Sequence, residues 1–258
     1  MAGPGAESIT ELERAAAAHW RGTEEQWLGG WLLRAAAGFT GRANSALPLG
    51  EPDRPLDEAL ETLASWYRAR GLPPMIALPG PLEAGSAGWE LDRQLARRSW
   101  PARSGPAFFM TAGLPPGLSP ASPPPGTRFC ADAIPDEEWL AAYHYRGQEL
   151  QPPVMRSVLT SAAEQVFVSI RTADSVLAIA RLSFAAGWAG ITAVEVRPER
   201  RRDGLGRALT QAVLTRAAAR GLNRVFLQVE VDNRPARTLY EGSGFGYSHR
   251  YHYRLAPS

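Results

Sequence analysis

Apolar and polar positions alternate most legibly in the second half of the chain. Leu205, Leu209, Ala212, Val213 and Ala217 recur at helical spacing, and Gly221 is placed to end a helix over 205–220. Runs rich in β-branched and apolar residues at 166–171, 176–184 and 188–196 are broken by Ala173-Asp174 and Ala186-Gly187, which predicts antiparallel strands. Short helices at 139–145 and 154–163 precede them. A strand at 225–231, a helix at 234–241 and a strand at 247–255 follow. The first half predicts helices over 7–20, 56–70 and 91–98 and strands over 75–78 and 107–111. A strand pair over 27–36 and 42–49 is expected to turn at Gly38-Phe39-Thr40-Gly41.

Between the halves, Pro115, Pro116, Pro120, Pro123, Pro124 and Pro125 gather with glycine and serine, and neither a helix nor an inner strand runs through such a stretch. The expected division is therefore a domain at 1–113, a linker at 114–126 and a second domain at 127–258. With 45% apolar and 21% charged residues, the composition can bury a core without metal or disulfide staples. Cys130 is the sole cysteine, which excludes an intrachain disulfide and a cysteine-rich metal centre. A reducing cytoplasm is the compartment this predicts. No apolar run approaches the ~18 residues that span a bilayer, so no membrane partner is expected. A formal net charge of +2 gives no global case for nucleic-acid binding. A monomer or homodimer fits equally.

The densest chemistry lies where the strand at 188–196 meets the helix at 205–220, in Arg201-Arg202-Asp203-Gly204-Leu205-Gly206-Arg207. Gly204 and Gly206 let the backbone approach a ligand, and the following helix turns unpaired N–H groups and its positive dipole end toward the bend. Amides from Arg202 to Arg207 are placed to surround a pyrophosphate, with Arg201, Arg202 and Arg207 adding charge-assisted contacts. A tight turn bearing solvated arginines would use the same residues. Two rival phosphate motifs fail: the dinucleotide fingerprint wants glycine where Leu209 stands, and a Walker A loop wants Gly-Lys-Ser/Thr.

The run Arg201-Arg202-Asp203-Gly204-Leu205-Gly206 resembles the Arg/Gln-x-x-Gly-x-Gly/Ala signature of the GNAT N-acetyltransferases. A second block, from Asn233 through Ala236 to Leu239-Tyr240 and Gly244-Phe245, is similar to that family's Asn-x-x-Ala-x-x-Leu-Tyr helix and Gly-Phe turn. The resemblance covers the second half of the chain. It implies an α/β (α+β) fold with a mixed central β-sheet flanked by helices, acetyl-CoA as cosubstrate, no metal, and a primary-amine acceptor attacking directly through a tetrahedral intermediate. It further implies pantetheine lying between two splayed parallel strands against the backbone of Val194, Glu195 and Val196. Asn233 and Ala236 are implied to contact the cofactor, and Tyr240 to protonate the departing thiolate. A core tyrosine is the plainer role for Tyr240.

An alkyl ammonium must lose a proton before it attacks. Glu195 is the candidate base, because strand alternation turns it away from Val194 and Val196. If that face meets solvent, it is an ordinary strand carboxylate. Glu230, His249 and His252 stand in reserve.

Ala69-Arg70-Gly71-Leu72 in the first half recurs as Ala219-Arg220-Gly221-Leu222, each ending a helix before a strand. The order of elements around them repeats too, as in a second, degenerate GNAT-like unit of the kind found in mycothiol synthase and related tandem acetyltransferases. Its helix entrance, Pro48-Leu49-Gly50-Glu51-Pro52-Asp53-Arg54-Pro55, lacks the signature. There the prolines remove amide donors and the acids repel phosphate. Three functions therefore stay open: acetyl transfer to a small-molecule, peptide or protein amine; an acyl-CoA-binding regulatory module without turnover; and acetylation of a protein lysine or N-terminus, with the first half as recognition domain.

Overall fold

The computed structural model describes residues 8–83, 89–115, 117–144 and 152–257. Glu7, Pro116 and Tyr145, each within a predicted helix or linker, lie outside them. Two compact units divide the chain, Met1–Phe108 with Pro153–Ser161 and Ser248–Ser258, and Phe109–Pro152 with Ala162–Tyr247. They interleave, unlike the linear division expected at 114–126.

In the first unit, α1 (Ile9–Ala17) starts at a reciprocal cap. Glu11 N donates to the Ser8 hydroxyl, and Ser8 N donates to the Glu11 carboxylate at 2.8 Å. Strands β1 (Glu24–Leu28) and β2 (Trp31–Ala35) form a hairpin whose register closes at Leu28↔Trp31. The turn is Gly29-Gly30, not the predicted 38–41. A Cβ on Gly29 would stand 2.2 Å from Asp53 N and one on Gly30 2.6 Å from Gly50 C, so this corner has room only for glycine. Residues 42–44 form a 3-10 turn instead of strand. The reason is Asn44, which accepts from Ala36 N and Gly38 N and donates to Phe39 O and Thr40 O, holding the loop closed. Only Leu47–Pro48, strand β3, pairs with β2.

Helix α2 (Leu56–Arg68) buries Leu60, Leu63, Ala64 and Tyr67. Leu60, Leu63 and Tyr67 make one core with Trp31, Leu33, Ile76, Leu95 and Trp100, to which β4 (Met75–Gly80) and α3 (Glu90–Arg97) contribute. Trp31, Trp89 and Trp100 are thereby core residues. Strand β5 (Ala102–Gly113) begins in this unit and ends in the second.

The second unit adds β6 (Arg128–Asp132), which the apolar pattern missed, then α4 (Glu137–Ala141). Helix α5 (Pro152–Leu159) belongs to the first unit from Pro153 on. Strands β7 (Glu164–Arg171), β8 (Val176–Ala185) and β9 (Trp188–Val196) run antiparallel in succession, with β6 beside β7. Helix α6 (Leu205–Ala219) buries Leu205, Leu209, Val213 and Ala217, and crosses from β9 to the parallel strand β10 (Arg224–Glu230). Helix α7 (Arg234–Glu241) follows, and β11 (Gly246–Leu255) returns to the first unit to pair with β4 from Arg250↔Gly80 to Leu255↔Met75. The strand order within the second unit is β10-β9-β8-β7-β6, a mixed sheet with the end of β5 beside β10. The proline-rich segment lies along α6, where Ser119 O accepts from Thr215 Oγ1 at 3.2 Å.

Candidate active site

Strands β9 and β10 part company early. Their parallel pairing runs only from Val225↔Ala189 to Leu227↔Ile191, so Thr192 to Val196 continue without a β10 partner in that register. On the other edge, β9 pairs with β8 through a bulge. Ile179 faces Glu195 and Arg181 faces Thr192, which sets two residues, Ala193 and Val194, against Ala180. Ala193 carries the extra turn with φ +51°, a left-handed value that is costly for alanine. Arg197 N donates to Leu177 O at 2.9 Å. By antiparallel alternation the backbone of Glu195 also faces β8, while that of Val196 faces the parted edge. The bulge interrupts the simple alternation counted across 194–196.

Beyond β9 the chain makes a 3-10 turn at Pro198–Arg200, passes Arg202 at φ +73° and Gly204 at φ +77°, and enters α6. The first helical bond is Ala208 N to Gly204 O, so the helix itself offers no partner to the amides of Leu205, Gly206 and Arg207. A Cβ on Gly204 would meet nothing within 4 Å, which leaves the bend open. Arg201, Arg202, Asp203, Gly204 and Arg207 are exposed, and Leu205 is buried. Asp203 is paired with Arg200 at 2.8 Å, so its carboxylate is balanced within the turn. This combination of forward-pointing amides, dipole and arginines suits a dianionic phosphate group.

Glu195 is half-buried on the wall of a cavity of ≈ 610 Å³ that Val196, Arg201, Leu177 and Ala178 also line. Burial pushes its carboxyl above the usual range, and the charges of His144 and Arg201 oppose that rise. Tyr240 is buried at the end of α7, edge-on to Phe245 at 5.9 Å. Burial first, and then the negative charge of Glu195, hold its phenol protonated well above the ordinary value. The two residues therefore share one electrostatic environment. Gly206 joins the pieces, because its Cα faces Leu239 of α7 and Val196 of β9.

Other expected residues lie apart. Asn233 caps α7 by accepting from Ala236 N at 3.2 Å, and neither residue lines the cavity. Glu230 is exposed. His249 is fully buried against Glu13 at 2.9 Å, and the half-buried His252 bonds Asp92 at 2.7 Å, so both reserve bases are engaged within the first unit. His144 falls within the helix predicted over 139–145 and was not singled out there; α4 ends at Ala141, and His144 lines the cavity with Glu195. Among the described residues no cluster of three or more His, Cys, Asp or Glu is placed to hold a metal ion, and no helix is long and apolar enough to cross a membrane.

Residues 6–254 match the family described as "Probable histone acetyltransferase Rv0428c C-terminal". The chain is 30% identical over 256 residues to "Probable histone acetyltransferase Rv0428c" of Mycobacterium tuberculosis, covering 97% of this chain and 75% of that protein. Among solved structures, a GCN5-related N-acetyltransferase from Kribbella flavida superposes with a TM-score of 0.66 at 20% identity, over 100% of this chain and 97% of that one. A tandem GNAT protein from the clavulanic acid biosynthesis pathway gives 0.66 at 16% identity, over 83% and 76%. At these identities the two structures establish likeness of fold.

Proposed function

From the premise that this chain belongs to the Rv0428c C-terminal family of GNAT acetyltransferases, we propose that it moves acetyl from acetyl-CoA to a primary amine of a small molecule, peptide or protein. The observation that carries this reading is the parting of β9 from β10 directly before an open, amide-lined bend. The bend's free amides and exposed arginines fit a pyrophosphate, and the unpaired edge of β9 fits a pantetheine arm.

In this reading the amides of Arg202 to Arg207 hold the diphosphate, with Arg201, Arg202 and Arg207 supplying charge. The parted edge of β9 at Val194 and Val196 aligns the arm as an added strand would, while the backbone of Glu195, turned to β8, takes no part in that pairing. Asn233 fixes the start of α7, and Ala236 keeps that turn slim, so Tyr240 is carried on a rigid element. Bound acetyl-CoA supplies an activated thioester. The amine nitrogen bonds to the acyl carbon as the carbon–sulfur bond breaks. Tyr240 donates its phenolic proton to the sulfur, and Glu195 accepts the proton the amine gives up. A Val196 N–H directed into the gap stabilises charge developing on the acyl oxygen.

The regulatory-module reading needs neither a buried acid nor a buried base, and Tyr240 and Glu195 supply both. The name of the Mycobacterium tuberculosis relative favours a protein acceptor as the second reading. Calorimetry with acetyl-CoA, joined to a thiol-release screen over small amines and lysine peptides, tests the proposal. Tight binding with no amine-dependent thiol release would favour the regulatory module.

A further inference from the structure

The cavity beside Glu195 holds a histidine that the acyl-transfer reading leaves idle. His144 follows α4, is exposed, and lines the same cavity as Glu195. Its Nδ1 lies 3.1 Å from Ala142 O. A carbonyl can only accept, so Nδ1 carries the hydrogen, and the neutral ring keeps its lone pair on Nε2. A histidine with one nitrogen anchored by backbone and the other bonded to none of the described residues has the arrangement expected of a proton acceptor.

We infer that Glu195 and His144 form a two-step proton relay, in which Glu195 takes the proton of the acceptor ammonium and His144 Nε2 carries it on to solvent. This rests on the transfer reading above. The balance is simple. R–NH3+ and the Glu195 carboxylate become R–NH2 and the carboxylic acid. The acid then gives its proton, through water in the cavity, to Nε2, restoring the carboxylate and forming imidazolium, and water removes the proton from the ring. No electrons change hands.

Both side chains line one cavity, and Glu195 is half-buried while His144 is exposed, so the route runs outward. The other charged groups on the cavity are Glu138 from α4, Asp174 from the β7–β8 turn, and Arg197, Glu199 and Arg201 after β9. Glu138 is already engaged by Arg171 at 2.9 Å, and all five are exposed. Among the described residues, Glu195 is the one half-buried acid on this cavity.

The ring's tautomer can be read without any substrate. Long-range 1H–15N spectra should show the Nδ1–H form of His144. An Nε2–H tautomer overturns the relay. Kinetics give a second reading with tryptamine, spermidine and a lysine hexapeptide as acceptors. Near pH 7, His144→Gln should lower kcat ~10-fold, leave the KM for acetyl-CoA unchanged, and recover with added imidazole. A loss that imidazole does not restore, or no loss at all, also overturns it. Wild-type protein that releases no thiol with any of these amines would count against the transfer reading, whereas an active wild type with an unrescued variant counts against the relay alone.

Discussion

Gly206 lies against Leu239: a Cβ at position 206 would stand 3.2 Å from Leu239 Cδ2. The clash is with the far end of a flexible side chain, so Gly206→Ala should fold with near-normal stability. Gly206→Glu is different, because it sends a carboxylate toward the proposed phosphate amides. Calorimetry should show its acetyl-CoA Kd rising at least ~10-fold, a loss of ~1.4 kcal/mol. Undiminished affinity would remove the diphosphate from this bend.

Tyr240 offers a cleaner separation of binding from chemistry. Its ring packs on Phe245, and Phe keeps that contact while deleting the hydroxyl. Tyr240→Phe should lower kcat by ~10²-fold, with acetyl-CoA affinity retained. With the chemical step limiting, an unchanged maximal rate would take the residue out of the mechanism.

How legible all this was depends on where the shaping forces lie. The predicted strand at 188–196 and helix at 234–241 match β9 and α7 end to end. In the first case turn residues bracket an apolar run, and in the second an asparagine cap and Pro235 announce the start. Strand β6 escaped notice because Phe129, Cys130 and Ala131 are only half-buried, and their strand character comes from pairing with β7. The bulge at Ala193 is similarly hidden. Alanine has no preference for φ +51°, and the twist there is imposed by the β8 register on either side. His144 could not be found by periodicity, since it belongs to no helix face and gains its meaning from a neighbour 51 positions away in sequence (195 − 144). In the first unit the strand predicted over 27–36 ran through Gly29-Gly30, because the backbone at Gly50 and Asp53 that demands glycine at this corner lies outside the local pattern.

The raised pKa of Glu195 has a stability consequence with a definite sign. A carboxyl that binds its proton more tightly in the folded state contributes stability below its unfolded value, near 4.5, and loses that contribution as pH rises through the folded value. At neutral pH the folded protein thus carries an ionised group that burial disfavours. Glu195→Gln should melt at a higher temperature than wild type at pH 7 to 8, and the difference should shrink toward pH 4. Thermal scans across that interval check it, and a gap that widens in acid would contradict the burial of the charge.

Arg171 ties the cavity wall to the sheet. Its guanidinium reaches Asp136 at 2.8 Å, Glu138 at 2.9 Å and Ser169 at 2.9 Å, while Asp136 also caps α4 by accepting from Trp139 N at 2.8 Å. Asp136 and Glu138 remain 50% and 62% exposed, so water screens much of the attraction, and the arginine's hydrogen bonds set the loss. Arg171→Leu keeps the packing but strands the cap's partner, and should cost ~1–3 kcal/mol, lowering Tm by several degrees. Because Arg171 is not among the residues of the bend, acetyl-CoA affinity should hold. Glu138, Ala141 and Ala142 do line the cavity, so loosening α4 should instead raise the KM of the amine. A fall in Tm with both constants unchanged would mean that α4 forms no part of the acceptor's wall, and that the amine enters from another side of Glu195.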